Sequence, residues 1–218
     1  MSDDAAARRE QLIQLYREVQ ACTRCPLHET RTKAVFGAGD ANADLMFVGE
    51  APGAEEDRQG LPFVGRAGKL LTQLLQEIGL SREDVFIANV LKSRPPGNRD
   101  PQPEEIHACR PYLERQIELI QPRVIGTLGN FATKLLTRNP AGITRVHGTP
   151  QLHQLGGRPV FVMPLFHPAA ALRTPALVEA LREDFAKLPA LLEEPLPEPD
   201  PGPEPEGADE PAQLDLFA

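Results

Sequence analysis

Four short strings concentrate side chains able to hold, move or stabilise charge. They are G-E-A-P-G-A-E-E-D at 49–57, G-L-P-F-V-G-R-A-G at 60–68, N-V-L-K-S-R-P-P-G-N-R at 89–99 and H-P-A-A-A-L-R at 167–173. Among them they supply carboxylates at Glu50, Glu56 and Asp57, a carboxamide at Asn89, an aromatic ring at Phe63 and an imidazole at His167. A carboxylate can orient water, and an imidazole can donate to a leaving group on which negative charge grows. A carboxamide reads an edge, because one end donates and the other accepts. Cys22 and Cys25 form a C-x-x-C pair, which in a reducing compartment points to metal or redox work rather than a structural disulfide. Gly60-x4-Gly65-Arg66-Ala67 resembles a phosphate-binding loop but lacks the Lys and Ser/Thr that contact phosphate and magnesium, which argues against nucleotide hydrolysis.

Positioning such groups takes a scaffold, and the apolar spacing predicts one. Leu12, Leu15, Tyr16 and Val19 recur at helical intervals, so an amphipathic helix should lead into the C-x-x-C turn. Residues 45–48 form an apolar run ending at Gly49, the pattern of a buried strand entering a loop. Leu71, Leu74, Leu75 and Ile78 repeat the helical spacing, with Gly79 placed to cap it. A strand is expected near 85–91, then a Pro-rich loop, then a helix whose first turn is Pro103-Glu104-Glu105. A strand at 124–128, a short helix from about Phe131, a strand at 160–163 and a helix from about Pro175 complete the series. This alternation predicts an α/β protein with a mainly parallel sheet covered on both faces. Ligands of such sheets sit beyond the carboxyl ends of the strands, so the segments to search are 49–53, 89–94, 129–130 and 167–173.

The formal charge of −8 is unevenly spread. Nine of the 31 acids fall in residues 193–218 with no base, leaving 22 acids against 23 Lys and Arg in the rest. The body therefore carries no excess negative charge that would repel a nucleic acid. No apolar stretch reaches the roughly 20 residues of a membrane span, and the N-terminus lacks a signal-peptide core, so a cytoplasmic protein is expected.

Taken in order over residues 8–188, the four strings closely resemble the iron-sulfur (family 4) uracil-DNA glycosylases. That resemblance implies a three-layer α/β/α sandwich and an enzyme that starts base excision repair by hydrolysing the N-glycosidic bond of uracil in DNA. A base stacked in a duplex cannot be reached, so it must be flipped into a pocket that reads its edge. By the resemblance Asn89 is the reader, donating to uracil O4 and accepting from N3–H, a pattern cytosine reverses. Phe63 matches the ring that stacks on the flipped base. His167 matches the catalytic histidine, stabilising the charge that grows on uracil O2. Glu50 orients water or stabilises the cationic sugar. Amides around Ala51 and Gly53 can bond uracil O2 or a phosphate, and Glu56 and Asp57 either assist or are surface acids. Leu172 suits a wedge into the duplex or the core, and Arg173 a phosphate contact, which Lys92, Arg94 and Arg99 can supplement.

Two departures from the family matter. Its members bind a 4Fe-4S cluster through four cysteines; Cys22, Cys25 and Cys109 match three, and Ser93 stands at the fourth. Serine ligates only as a basic, hard alkoxide, so a weakened cluster, a three-cysteine cluster or none are the alternatives, with a weakened one favoured. In T-R-V-H-G at 144–148, His147 stands where the family often has Arg. A related branch traps uracil-DNA covalently through such a histidine, giving a covalent or non-catalytic uracil-DNA binder as the alternative function. Ala51 and the short loop here fit turnover instead. A redox iron-sulfur role ranks last, because the matches gather on the base pocket.

The expected division is a glycosylase domain at 1–190 and a disordered, acidic, Pro-rich tail at 191–218. The tail ends in Gln213-Leu214-Asp215-Leu216-Phe217, similar to the peptide by which bacterial repair proteins dock on the DNA sliding clamp. A monomer acting on uracil-containing DNA, with no membrane partner, is expected.

Overall fold

The computed structural model describes residues 3–197, so most of the acidic tail and its clamp-like peptide lie outside the described residues. The chain begins with α1 (Asp3–Gln20), which buries Leu12, Leu15 and Val19. Tyr16 does not join that buried face; its ring stands edge-on to Phe36 at 5.6 Å and stays largely in solvent. After α2 (Leu27–Thr30) and β1 (Ala38–Gly39) comes β2 (Leu45–Gly49), which leads through α3 (Ala54–Gln59) and α4 (Arg66–Glu77) to β3 (Phe86–Asn89). Next come α5 (Pro103–Ile120), β4 (Val124–Leu128), α6 (Asn130–Thr137), α7 (Ile143–Val146), β5 (Gln151–Leu155) and β6 (Arg158–Leu165). The described chain ends with α8 (Pro168–Ala171), α9 (Ala176–Phe185) and α10 (Leu188–Glu193). Ordered helix thus runs past the boundary expected at residue 190.

The six strands lie in the order β1-β3-β2-β4-β6-β5. The inner four are parallel, and the two edges, β1 and β5, are antiparallel. Every residue of β2, β3 and β4 is buried, as expected of strands covered on both faces. Alternation sorts their side chains: Met46, Val48, Phe86, Ala88 and Ile125 join the core beneath α1 and α5. Leu45, Phe47, Ile87 and Val124 join the opposite core, with Leu71, Leu74 and Leu75 of α4 and Phe185 of α9. Phe47 and Phe185 stack there with ring centroids 5.4 Å apart. These are the three layers of an α/β/α sandwich, with a hydrophobic core on each side of the sheet.

The helix ends follow local chemistry. α5 opens with a capping box between Gln102 and Glu105, with Pro103 on its first turn. α4 closes just before Gly79, whose φ of 79° lets the chain reverse without a Cβ penalty. Two features departed from expectation. The strand near 85–91 ends at Asn89, although the Val90 and Leu91 amides still donate to Gly49 O and Glu50 O at 2.9 and 3.0 Å and both side chains enter the core. The β5–β6 hairpin was not foreseen, since β5 is an edge strand whose residues are only half-buried or exposed.

The connection from β2 runs over one face to β3, while that from β4 runs over the other to β6, on the opposite side. A crevice therefore opens beyond the carboxyl ends of β2 and β4, where open α/β sheets bind their ligands.

Candidate active site

A cleft of about 430 Å³ occupies this crevice. Glu50, Ala51, Gly53 and Glu56 line it from the loop after β2 and the start of α3, and Asn89 from the end of β3. Phe63 comes from the loop before α4, and His167 and Arg173 flank α8. Leu172, by contrast, stands 46% exposed next to Arg173, outside both cores. Asn98 and Arg99, from the Pro-rich loop, close another side.

Asn89 is 1% exposed, yet neither its Nδ2 nor its Oδ1 has a hydrogen-bond partner. A buried carboxamide without partners costs several kcal/mol if left so, which marks it as a group awaiting a ligand. Gly49 faces it across the β2–β3 register, and a Cβ there would collide with Asn89 Oδ1 and come within 2.7 Å of the Phe63 ring. Phe63 holds a left-handed φ of 51°. Arg82 braces that loop, donating to Phe63 O at 3.1 Å and Pro62 O at 2.7 Å. Gly68 lets the loop lie directly on α4, since a Cβ there would strike the Phe63 carbonyl. Close backbone packing at Gly49 and Gly68 and the Arg82 brace thus set ring and carboxamide side by side.

The Phe63 and His167 rings lie 5.7 Å apart at 28°. His167 Nδ1 accepts the Ala169 amide hydrogen at 3.0 Å, so the neutral ring carries its proton on Nε2. Burial pushes its pKa down to about 4, against the opposing charge of Glu56. The imidazole is therefore a neutral donor at physiological pH. Glu50 is shifted the other way: burial, helped by the charge of Asp100, raises its carboxyl above the ordinary range. Glu56 turns Oε1 to the Val64 and Gly65 amides at 3.0 and 3.1 Å, clamping the loop that carries Phe63. Asp57 accepts from the Thr32 amide at 2.9 Å and lies outside the cleft lining.

Of the basic residues read as phosphate contacts, Lys92 is placed otherwise. Lys92 is 2% exposed; its ammonium donates to Asn89 O at 2.7 Å and Gln116 Oε1 at 2.6 Å, and burial pushes its pKa down to about 7. A lysine so enclosed cannot touch a phosphate. Arg99 grips Glu105 through both terminal nitrogens, at 2.9 and 2.5 Å. Arg94 donates to Asn98 Oδ1 at 2.7 Å on the surface. His147 lies outside the cleft lining, its Nδ1 2.7 Å from the buried Asp184, which also pairs with Lys187 at 3.0 Å.

The three cysteines lie within electrostatic reach of one another. Burial pushes the Cys25 and Cys109 thiols up, Cys22 adds to both shifts, and the Lys92 amide donates to Cys109 Sγ at 3.4 Å. At the fourth position Ser93 is 4% exposed and its hydroxyl accepts from Arg31 Nη1 at 3.2 Å. Among the described residues no three His, Cys, Asp or Glu side chains stand in metal-holding geometry. With Ser93 in the fourth position, Cys22, Cys25 and Cys109 offer three thiols and no fourth, which does not fit a four-thiolate cluster.

A doubly wound α/β sheet presenting an unpartnered carboxamide, a stacking ring and a neutral imidazole in one cleft defines a protein that accepts a planar base and acts on it. Residues 36–190 match the family model of the uracil DNA glycosylase superfamily, and the chain belongs to that family. It is 50% identical over 184 residues to a type-4 uracil-DNA glycosylase of Sulfurisphaera tokodaii, covering 82% of this chain and 84% of the relative. A type-4 enzyme of Archaeoglobus fulgidus is 49% identical over 82% of this chain and 92% of its own. One of Thermotoga maritima is 51% identical over 76% and 85%.

Proposed function

We propose that the chain is a uracil-DNA glycosylase that releases uracil from DNA and so initiates base excision repair. The observation that carries this reading is the buried Asn89 carboxamide with both polar atoms unpartnered. Its Nδ2 would donate to uracil O4 and its Oδ1 accept from N3–H, while Phe63 stacks on the ring face. As the N1–C1′ bond breaks, the electron pair leaves with uracil and spreads onto O2, where the His167 Nε2 proton stabilises it. Water oriented by Glu50 adds its oxygen to C1′ and passes a proton to the carboxylate, leaving an abasic site and, after protonation at N1, free uracil. The raised Glu50 pKa supports this role, since a base is most effective when its pKa approaches the working pH. Amides around Ala51 and Gly53 line the O2 side, and Leu172 and Arg173 are offered to the DNA as wedge and phosphate contact.

A uracil-containing oligonucleotide treated with substoichiometric enzyme should yield free uracil and an alkali-labile site over many turnovers. An adduct surviving denaturation, with no turnover, would instead favour covalent capture by His147. The placement of His147 against Asp184, away from the cleft, speaks against that outcome.

Cys22, Cys25 and Cys109 would hold an iron-sulfur cluster less firmly than four cysteines, tying residues 22–25 to α5 and serving structure. The tail sequence Gln213–Phe217 supports docking of a monomeric enzyme on the DNA sliding clamp, with the acidic segment as tether.

A further inference from the structure

We infer that Lys92 is a positioning residue for uracil recognition: its buried ammonium fixes the peptide that carries the Asn89 reader, acting with Gln116 from α5. The inference rests on the assignment of Asn89 as reader. Because no protein group bonds the Asn89 carboxamide, its aim depends on its backbone and on the close pack of Gly49. The Asn89–Val90 peptide is held from both sides. Its N–H, on Val90, donates to Gly49 O at 2.9 Å, and its carbonyl, on Asn89, accepts from Lys92 Nζ at 2.7 Å.

The carbonyl needs that donor because the sheet does not extend far enough to supply one. β1 pairs with β3 only at Phe86 and Ile87, so its ladder ends before Asn89 is reached. Lys92 Nζ stands in where a strand amide would, and a hydrogen bond in so dry a site holds the peptide harder than one exposed to water. Gln116 steers the ammonium: its Oε1 accepts from Lys92 Nζ at 2.6 Å, and its Nε2 is pinned to Phe36 O at 2.9 Å. The 0% exposed Gln116 and the 2% exposed Lys92 have no role at the surface. A methionine would fill the same space but would leave the Asn89 carbonyl without a donor where the base reader turns out of the sheet.

The test is a double-mutant cycle on uracil excision. Lys92→Met keeps the volume and removes the donor. The expected loss in kcat/KM is roughly ten- to a hundredfold, the range for a hydrogen bond to a charged group. In an Asn89→Ala background the same substitution should change the rate by less than about threefold, because nothing is left to aim. Binding of DNA bearing an abasic site, which offers no base to Asn89, should be unchanged in Lys92→Met. Iron content per chain should also match wild type, separating the effect from Cys109. Should Lys92→Met fail to fold, Gln116→Met carries the same cycle with Lys92 in place, and should lose less activity in the same non-additive way. Equal losses with and without the Asn89 carboxamide, or wild-type kcat/KM in both single variants, would overturn the inference. If Asn89→Ala itself excises uracil at the wild-type rate, the assignment of the reader fails instead.

Discussion

Asn89→Asp tests the reading of the site most directly, since it exchanges one atom at the point of recognition and alters nothing in shape. In the wild type, cytosine would set donor against donor and acceptor against acceptor. Each buried group left unpaired costs about 1–3 kcal/mol, so two amount to about 2–6 kcal/mol, a preference for uracil of roughly 30-fold to 10⁴-fold. Asn89 is 1% exposed with Gly49 packed on Oδ1, so a carboxyl there is desolvated and held protonated. A protonated carboxyl has one donor and one acceptor in either order, and can match either pyrimidine edge. Excision of cytosine should therefore appear, and the uracil preference should fall at least tenfold, with uracil kcat/KM itself down roughly tenfold. The carboxyl must stay protonated, so both activities should decline as pH rises through its elevated pKa. Single-site U:G and C:G duplexes, cleaved by alkali and resolved on a gel, give both rates. A folded Asn89→Asp protein that keeps the wild-type preference would refute the reasoning.

His167→Ala should lower kcat about 10²- to 10³-fold, as removal of a single charge-stabilising donor does elsewhere, with little change in Tm. With His167 neutral above a pKa of about 4, its imidazole should add no limb to log kcat/KM against pH in the ordinary histidine range near 6–7. The acidic limb should follow Glu50: activity falls as pH drops through its raised pKa, and Glu50→Gln, slower overall, should flatten that limb. Ser93→Cys should bind more iron per chain, with stronger brown absorbance and a higher Tm; wild-type protein already holding four irons, unchanged by the substitution, would defeat the weakened-site proposal. Deleting residues 211–218 should abolish clamp capture in a pull-down while leaving excision from short oligonucleotides intact.

The parallel centre of the fold was legible because strands buried on both faces write themselves as unbroken apolar runs, as at residues 45–48 and 124–128. The edges were not. β5 reads Q-L-H-Q-L, too polar to announce a strand by itself, although Gly156-Gly157, both with positive φ, carried the turn signal for a hairpin. Within the cleft, Glu50, Asn89 and His167 were reachable because each ends or follows a readable strand. Lys92 reads from sequence as a phosphate contact because lysines are rarely buried, and its partner Gln116 lies 24 residues away on another element. Arg99, read as a phosphate contact, also pairs with the nearby Glu105, a partnership that spacing alone does not announce. What sequence spacing conveys is which residues share an element; which buried polar groups satisfy one another depends on distances between elements.

The left-handed backbone of Phe63 bears on timing. An L-residue held there costs on the order of 1–2 kcal/mol, and contacts within the chain, from Arg82 and Gly68, keep it in place. That cost is met once, when the chain folds, and not again each time a base arrives. On the proposed assignment of Phe63 and Asn89, the slot between ring and carboxamide would stand before DNA comes, and the enzyme would be a passive trap: the waiting done by the protein and the moving by the nucleic acid. The order in which it prefers its substrates should then follow how readily each uracil leaves its stack, a mispaired one ahead of one paired with adenine, and single strands ahead of both.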